Sequence, residues 1–131
     1  MHGKTVLITG ANSGIGFVTA AELAKMGARV LMVCRDTERG AHARAAVAQV
    51  ATGAAPELLL SDMSSQQAIR ALADEVRQRF SKIDVLVNNA AGIFAERALT
   101  VDGIELVGLP VATQPAGQAR TAIETSSRSA A

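Results

Sequence analysis

Apolar residues fall in four short runs separated by amphipathic stretches. The runs at residues 5–9, 29–33, 57–60 and 84–88 read as strands. Val6-Leu7-Ile8 and Val85-Leu86-Val87 do not alternate with polar positions, as expected of strands covered on both faces of a parallel sheet. Between the runs the apolar spacing becomes helical. Residues 14–26 predict a helix with Ile15, Val18 and Met26 on its inward side, Glu22 and Lys25 in solvent, and Gly27 as C-cap. Residues 37–52 predict a second helix, with Ala43, Ala46, Val47, Val50 and Ala51 on one stripe and Gly53 as its stop. A third opens at Ser64, with Gln67 at capping-box distance. Its apolar stripe is Ile69, Leu72, Ala73, Val76 and Phe80, while Arg70, Asp74, Glu75, Arg77 and Arg79 face water. Strands alternating with helices of this length predict an α/β fold: βαβ units, right-handed crossovers and a parallel sheet of about four strands.

Past Asn89 the pattern loosens. Residues 96–107 predict a short helix or a loop. Residues 108–131 are rich in Ala, Ser, Thr and Gln, carry Pro and Gly, and have Ile123 as their last large apolar residue. Such a stretch buries too little surface to offset its ordering entropy, so a disordered tail is expected there.

Composition narrows the function classes. The 131 residues amount to one small domain, and a formal charge of +1 gives no field directed at nucleic acid or an anionic membrane. No apolar run reaches the roughly 18–20 residues of a membrane span. The start, Met-His-Gly-Lys-Thr, runs straight into a strand and has no signal-peptide layout. A single cysteine excludes an internal disulfide framework, and a cytoplasmic location is expected. His2, His42 and Cys34 have no metal-ligand spacing, so no metal site is expected.

The chemistry is concentrated in Thr9-Gly10-Ala11-Asn12-Ser13-Gly14-Ile15-Gly16, between the first strand and the first helix. Glycines there permit a tight turn, bring backbone close to a pyrophosphate and leave free N–H groups at a helix N-terminus. The competing reading is a strand–helix turn that merely tolerates glycine. Asn12 and Ser13 either add contacts to phosphate or ribose, or only shape the turn. Cys34 ends the second strand and reads as a small packed residue. It stands where a carboxylate would accept from a ribose 2′-hydroxyl, and Arg35 follows at once. A guanidinium there pairs with a 2′-phosphate, with Arg39 as a second partner, or else simply caps a strand end at the surface. Asp36 tempers the local positive potential.

The octet resembles the cofactor loop of the short-chain dehydrogenase/reductase family, T-G-x-x-x-G-[IL]-G. Three further features extend the resemblance over residues 3–107. Asp62 stands where the family has an acidic residue near the adenine ring. Asn88-Asn89-Ala90 matches the family's N-N-A-G, with Ala91 intervening before Gly92. Leu99-Thr100-Val101-Asp102-Gly103-Ile104-Glu105 looks like the retinol-dehydrogenase-like branch. The resemblance implies a Rossmann-type sheet in residues 1–107 and a nicotinamide dinucleotide as partner, NADP(H) in preference to NAD(H). It implies cofactor-binding roles for Gly10, Asn12, Ser13, Gly14, Ile15, Gly16, Arg35, Asp62, Asn89 and Ala90. In the family the residues matching Asn88 and Asn89 anchor the nucleotide loop and the neighbouring strand, while two Asn after a strand are by themselves an ordinary turn signal.

The family's catalytic serine and Tyr-x-x-x-Lys are missing. The chain has no Tyr, its last Lys is Lys82, and its serines beyond Gly92 are Ser126, Ser127 and Ser129. Because the likeness stops at Gly108, a frameshifted or truncated reading with a non-native tail at 108–131 is expected. No residue is assigned a catalytic role, and the chain alone is expected to be inactive. Three readings remain at this point. The first is an oxidoreductase by descent acting on a lipophilic alcohol or carbonyl. The second is a nucleotide-binding module without catalysis. The third is a non-catalytic interaction protein whose open sheet edge pairs with another polypeptide, self-association through that edge included.

Overall fold

The computed structural model describes residues 1–91 and 98–106. The elements run in the order β1 (Thr5–Thr9), α1 (Gly14–Lys25), β2 (Arg29–Cys34), α2 (Thr37–Val50), β3 (Glu57–Leu60), α3 (Gln66–Arg79), β4 (Val85–Val87), β5 (Ala98–Leu99) and β6 (Glu105–Leu106). The first four strands form a parallel sheet in the order β3-β2-β1-β4. Successive side chains on each strand point to opposite faces, and both faces are covered. Val6, Ile8, Val30 and Met32 pack with Ala20 and Ala24 of α1 and with Ala43 and Val47 of α2. Leu7, Leu31, Val33 and Leu59 pack with Leu72, Val76 and Phe80 on the α3 side. The continuous apolar runs are thus the two-sided strands of a three-layer α/β fold.

Local differences from the sequence expectation have physical reasons. On α1 the inward stripe is Gly16, Ala20 and Ala24, flanked by half-buried Phe17 and Leu23. Ile15, Val18 and Met26 instead face out, at 80%, 58% and 56% exposure. Small residues bring this helix close to the sheet, and the larger apolar side chains are left on its outer side. The C-cap of α1 is Met26, one residue before the expected Gly27, which follows with φ +82° and donates its N–H to Ala24 O at 3.0 Å. On α2, Ala43 and Val47 are buried, with Ala46, Val50 and Ala51 half-buried.

α3 is capped by Ser65, not Ser64. The Ser65 hydroxyl accepts from Ala68 N–H at 3.2 Å, whereas the Ser64 hydroxyl donates to Asp62 Oδ1 at 2.6 Å. The helix's apolar stripe is buried as expected from Ile69 to Phe80. β2 extends one residue further, to Cys34, and β4 is shorter than its apolar run. Asp84, expected in the fourth strand, acts as a tie at its start: its carboxylate accepts from Thr5 N–H and its own N–H donates to Thr5 O, both at 2.9 Å. A hydrogen bond from Lys82 Nζ at 2.5 Å, more than any other contact, lowers the Asp84 carboxyl to about 2.

The described part of residues 96–107 is an antiparallel hairpin, not a helix, with Ala98 opposite Leu106 and Leu99 opposite Glu105. Its turn is held by Thr100, whose N–H donates to Ile104 O at 2.7 Å and whose carbonyl accepts from Gly103 N–H at 3.0 Å. The expectations for Gly92 and for the tail at 108–131 lie outside the described residues.

Candidate functional site

Strand order reverses between β1 and β4: β2 and β3 lie on one side of β1, and β4 lies on the other. The carboxyl ends of strands at such a switch point leave a crevice suited to ligands. A cleft of about 530 Å³ opens there, within the range of small-molecule sites.

The glycine loop forms its floor. Gly10 and Ala11 donate N–H groups to Val33 O at 2.9 and 3.3 Å, which ties the loop to β2. Gly10 has φ +65°, a conformation that costs a side-chain-bearing residue free energy, and a Cβ there would lie 2.9 Å from Ala90 Cα. Gly16 is required for a different reason: a Cβ at this position would overlap the Gly10 carbonyl and the Asn89 carboxamide.

Asn89 joins the loop to β4. Its side-chain nitrogen donates to Thr9 O and Gly10 O, each at 3.1 Å. The Thr9 hydroxyl in turn accepts the N–H groups of Asn89 and Ala90, each at 3.0 Å. This is the anchoring expected of Asn89.

The N-terminus of α1 differs from the other two. Asp36 caps α2 by accepting from Arg39 N–H at 2.8 Å, and Ser65 caps α3. Ser13, the N-cap of α1, makes no side-chain cap bond, and Ser13, Gly14 and Ile15 are exposed. Uncapped N–H groups carrying the positive end of the helix dipole suit an anion.

The far wall is Arg35, Asp36 and Arg39 beyond β2, with Ser61, Asp62, Met63 and Ser64 beyond β3. Both arginines are exposed. The Asp62 carboxyl is held below its ordinary range, mainly by the Ser64 hydroxyl and further by the Ser64 N–H and the Arg35 charge, against the opposing effect of burial. Burial pushes the Cys34 thiol up and keeps it protonated, which fits the packed role expected of it.

Of the residues singled out from the sequence, Gly10, Asn12, Ser13, Ile15, Arg35, Asp62, Asn89 and Ala90 line the cleft. Gly14 and Gly16 do not. Gly14 opens α1 with φ +55°, and Gly16 is buried beneath the loop. Two contributors went unassigned in the sequence. Thr9 was visible as the first residue of the octet, but its bonds to Asn89 and Ala90 span 80 and 81 residues. At Ser64 the capping-box spacing to Gln67 points to a helix cap and gives no sign of the bond to Asp62. Among the described residues no cluster of His, Cys, Asp and Glu could hold a metal ion. No helix among them is long and apolar enough to cross a membrane.

The sequence profile of the short chain dehydrogenase family matches residues 4–105. Retinol dehydrogenase 14 of Mus musculus is 45% identical over 116 residues, covering 81% of this chain and 35% of that protein. The 3beta-hydroxysteroid dehydrogenase of Mediterraneibacter gnavus is 41% identical over 102 residues, covering 78% of this chain and 36% of its own. Among solved structures, the Pseudomonas aeruginosa RhlG/NADP active-site complex superposes with a TM-score of 0.66 at 31% identity, over 71% of this chain and 36% of that one. The chain thus spans about a third of the length of the curated relatives it matches.

Proposed function

We infer function from one premise: the chain belongs to the short chain dehydrogenase family. On that premise residues 1–107 form the dinucleotide-binding unit of an oxidoreductase and bind NADP(H) in preference to NAD(H). The observation that carries this reading is the pair Arg35 and Arg39 in the wall of the cleft, beside a strand that ends in buried Cys34 and not in a carboxylate. A guanidinium there pairs bidentately with a 2′-phosphate. Asp36 also lines the cleft, but its carboxylate is engaged in capping α2.

The remaining roles follow from the same geometry. Gly10 lets the backbone approach the pyrophosphate, and the uncapped N–H groups of α1 face its charge. Gly16 and Asn89 hold the loop in place for both, while Asp62 serves the adenosine half. When bound, the dinucleotide supplies or accepts the hydride. The partner carbonyl or alcohol also needs a proton donor or acceptor, and the family's tyrosine is absent from these 131 residues. The chain by itself therefore binds the dinucleotide without turning substrate over. For the whole protein we propose a lipophilic alcohol or carbonyl as substrate, a reading supported by the retinol and hydroxysteroid in its relatives' names.

Calorimetric titration of the chain with NADP⁺ and NAD⁺ tests this reading. A charge-assisted phosphate contact is expected to make NADP⁺ tighter by at least about tenfold. Equal affinities would refute the preference, and no binding of either would refute the dinucleotide site. Oxidation of NADPH by the chain alone would refute the absence of turnover.

A second reading, self-association, is favoured by β4. Among the described residues it pairs on one side only, with β1, and Val85 is 38% exposed. Such an edge is a template for another strand. We place the chain in the cytoplasm, as its lone, buried thiol supports.

A further inference from the structure

The segment at residues 99–105 has no part in the function proposed above, yet the structure ties it to the cleft. Asp102, at the turn of the β5–β6 hairpin, accepts from the N–H of Gln66 at 2.7 Å. Gln66 is the first residue of α3, and its N–H has no partner within its own helix. Ser65 caps the same turn through Ala68 N–H, so Asp102 and Ser65 each take one of the helix's orphan donors.

The hairpin turn is built to present that carboxylate. The Thr100 hydroxyl accepts from the N–H groups of both Asp102 and Ile104, at 3.2 and 3.1 Å. Gly103, with φ +72°, completes the reversal.

Two walls of the cleft face each other from the ends of β4 and β3. Asn89, Ala90 and Ala91, past the end of β4, form one wall. Asp62, Met63 and Ser64 form the other wall, directly before Ser65 and Gln66. That wall is itself a chain of bonds. Asp62 accepts from Ser64 N–H at 2.9 Å and from its hydroxyl, and Ser65 N–H donates to Asp62 O at 3.1 Å. The Ser61 hydroxyl reaches Ala68 O at 3.2 Å, so the wall and the first turn of α3 are one bonded unit.

We propose that Asp102 is a positioning residue: by clasping the hairpin onto the first turn of α3, it holds the wall at residues 62–64 at the spacing a dinucleotide requires. The proposal rests on the dinucleotide reading and deepens it. Because coupling between two events is reciprocal, bound nucleotide also strengthens the clasp.

Two measurements on the full chain separate this proposal from that reading. The first uses no ligand: amide hydrogen exchange is compared between wild type and Asp102→Ala. Faster exchange at Ser64 and Gln66, with Val47 in α2 unchanged, is expected. Unchanged exchange at both would overturn the clasp whether or not a nucleotide binds. The second is the affinity for NADP⁺. Asp102→Ala should weaken it about fivefold. Asp102→Asn, which keeps an acceptor oxygen, should recover most of that loss, a rescue that a general destabilisation would not show. Thr100→Val, which dismantles the turn without touching Gln66, should reproduce the alanine effect, while Val101→Ala, at an 86% exposed position on the same turn, should leave affinity unchanged. Equal affinity in wild type, Asp102→Ala and Thr100→Val would overturn the proposal. No binding by wild type would refute the dinucleotide site instead, and the exchange result alone then decides the clasp.

Discussion

Arg35→Asp is expected to invert the cofactor preference. The substitution removes the guanidinium nearest the end of β2 and puts a carboxylate where a 2′-phosphate would sit. The phosphate then loses a charge-assisted contact and meets repulsion from the introduced carboxylate together with Asp36 and Asp62, which line the same wall. A lost charged hydrogen bond and a new like-charge contact together should weaken NADP⁺ by about a hundredfold or more. The same carboxylate can accept from a free ribose 2′-hydroxyl, so NAD⁺ affinity should hold or improve. Because Arg35 is exposed, thermal stability without ligand should change little. Calorimetry with both dinucleotides checks this. A parallel loss for both would mean that Arg35 shapes the loop and does not select the phosphate.

The second large effect is expected at Gly16. Its added Cβ meets the Gly10 carbonyl, which is backbone in a loop already tied to β2, and the Asn89 carboxamide, which holds that same carbonyl and the Thr9 carbonyl. The first is backbone and the second is a side-chain end pinned by two hydrogen bonds, so relief requires moving the loop or breaking the Asn89 bonds. Overpacking of this kind costs about 1–3 kcal/mol. In a domain of this size that corresponds to a fall in melting temperature of roughly 5–20 °C. Gly16→Ala should therefore both lower the melting temperature and abolish dinucleotide binding. Gly14→Ala is the comparison: its Cβ would meet nothing within 4 Å, and its difficulty is the φ of +55°. It should cost about 1 kcal/mol and weaken binding more than it destabilises. Thermal melts with and without NADP⁺ distinguish the two, and equal melting temperatures for Gly16→Ala and wild type would contradict the packing argument.

The fold was legible where one physical signal dominates. Val6-Leu7-Ile8 has no polar position to place in water, so a two-sided strand follows directly. The α3 stripe is equally plain, because its apolar residues are large and its other face is charged. α1 misleads because burial there goes to Gly16, Ala20 and Ala24, which scarcely register as apolar, while Ile15 and Val18 do. Adjacent serines at 64 and 65 cannot be ranked as caps without knowing that Asp62 engages one of them. The hairpin at 98–106 has strands too short to show a period.

The candidate site divides in the same way. The glycine spacing and Arg35 point to the cleft because they are local in sequence. Spacing alone cannot separate Gly10, which lines the cleft, from Gly16, which supports the loop from beneath. Thr9 acts through contacts with the far end of β4, and Asp102 through the start of α3. Neither is readable before the chain is folded.

The most direct test of the account is amide chemical-shift mapping of the full chain during titration with NADP⁺. The central claim is that the dinucleotide lies at the carboxyl ends of the strands, over the glycine loop. It predicts shifts concentrated at Gly10, Ser13 to Gly16, Arg35, Asp62 to Ser64, Asn89 and Ala90. The opposite end of the sheet provides the contrast. There Glu57 bridges Arg29 and Arg79 at 3.0 and 2.6 Å, with both guanidiniums 5.2 Å from the Phe80 ring. Shifts centred on that cluster, or none at the glycine loop at saturating NADP⁺, would contradict it.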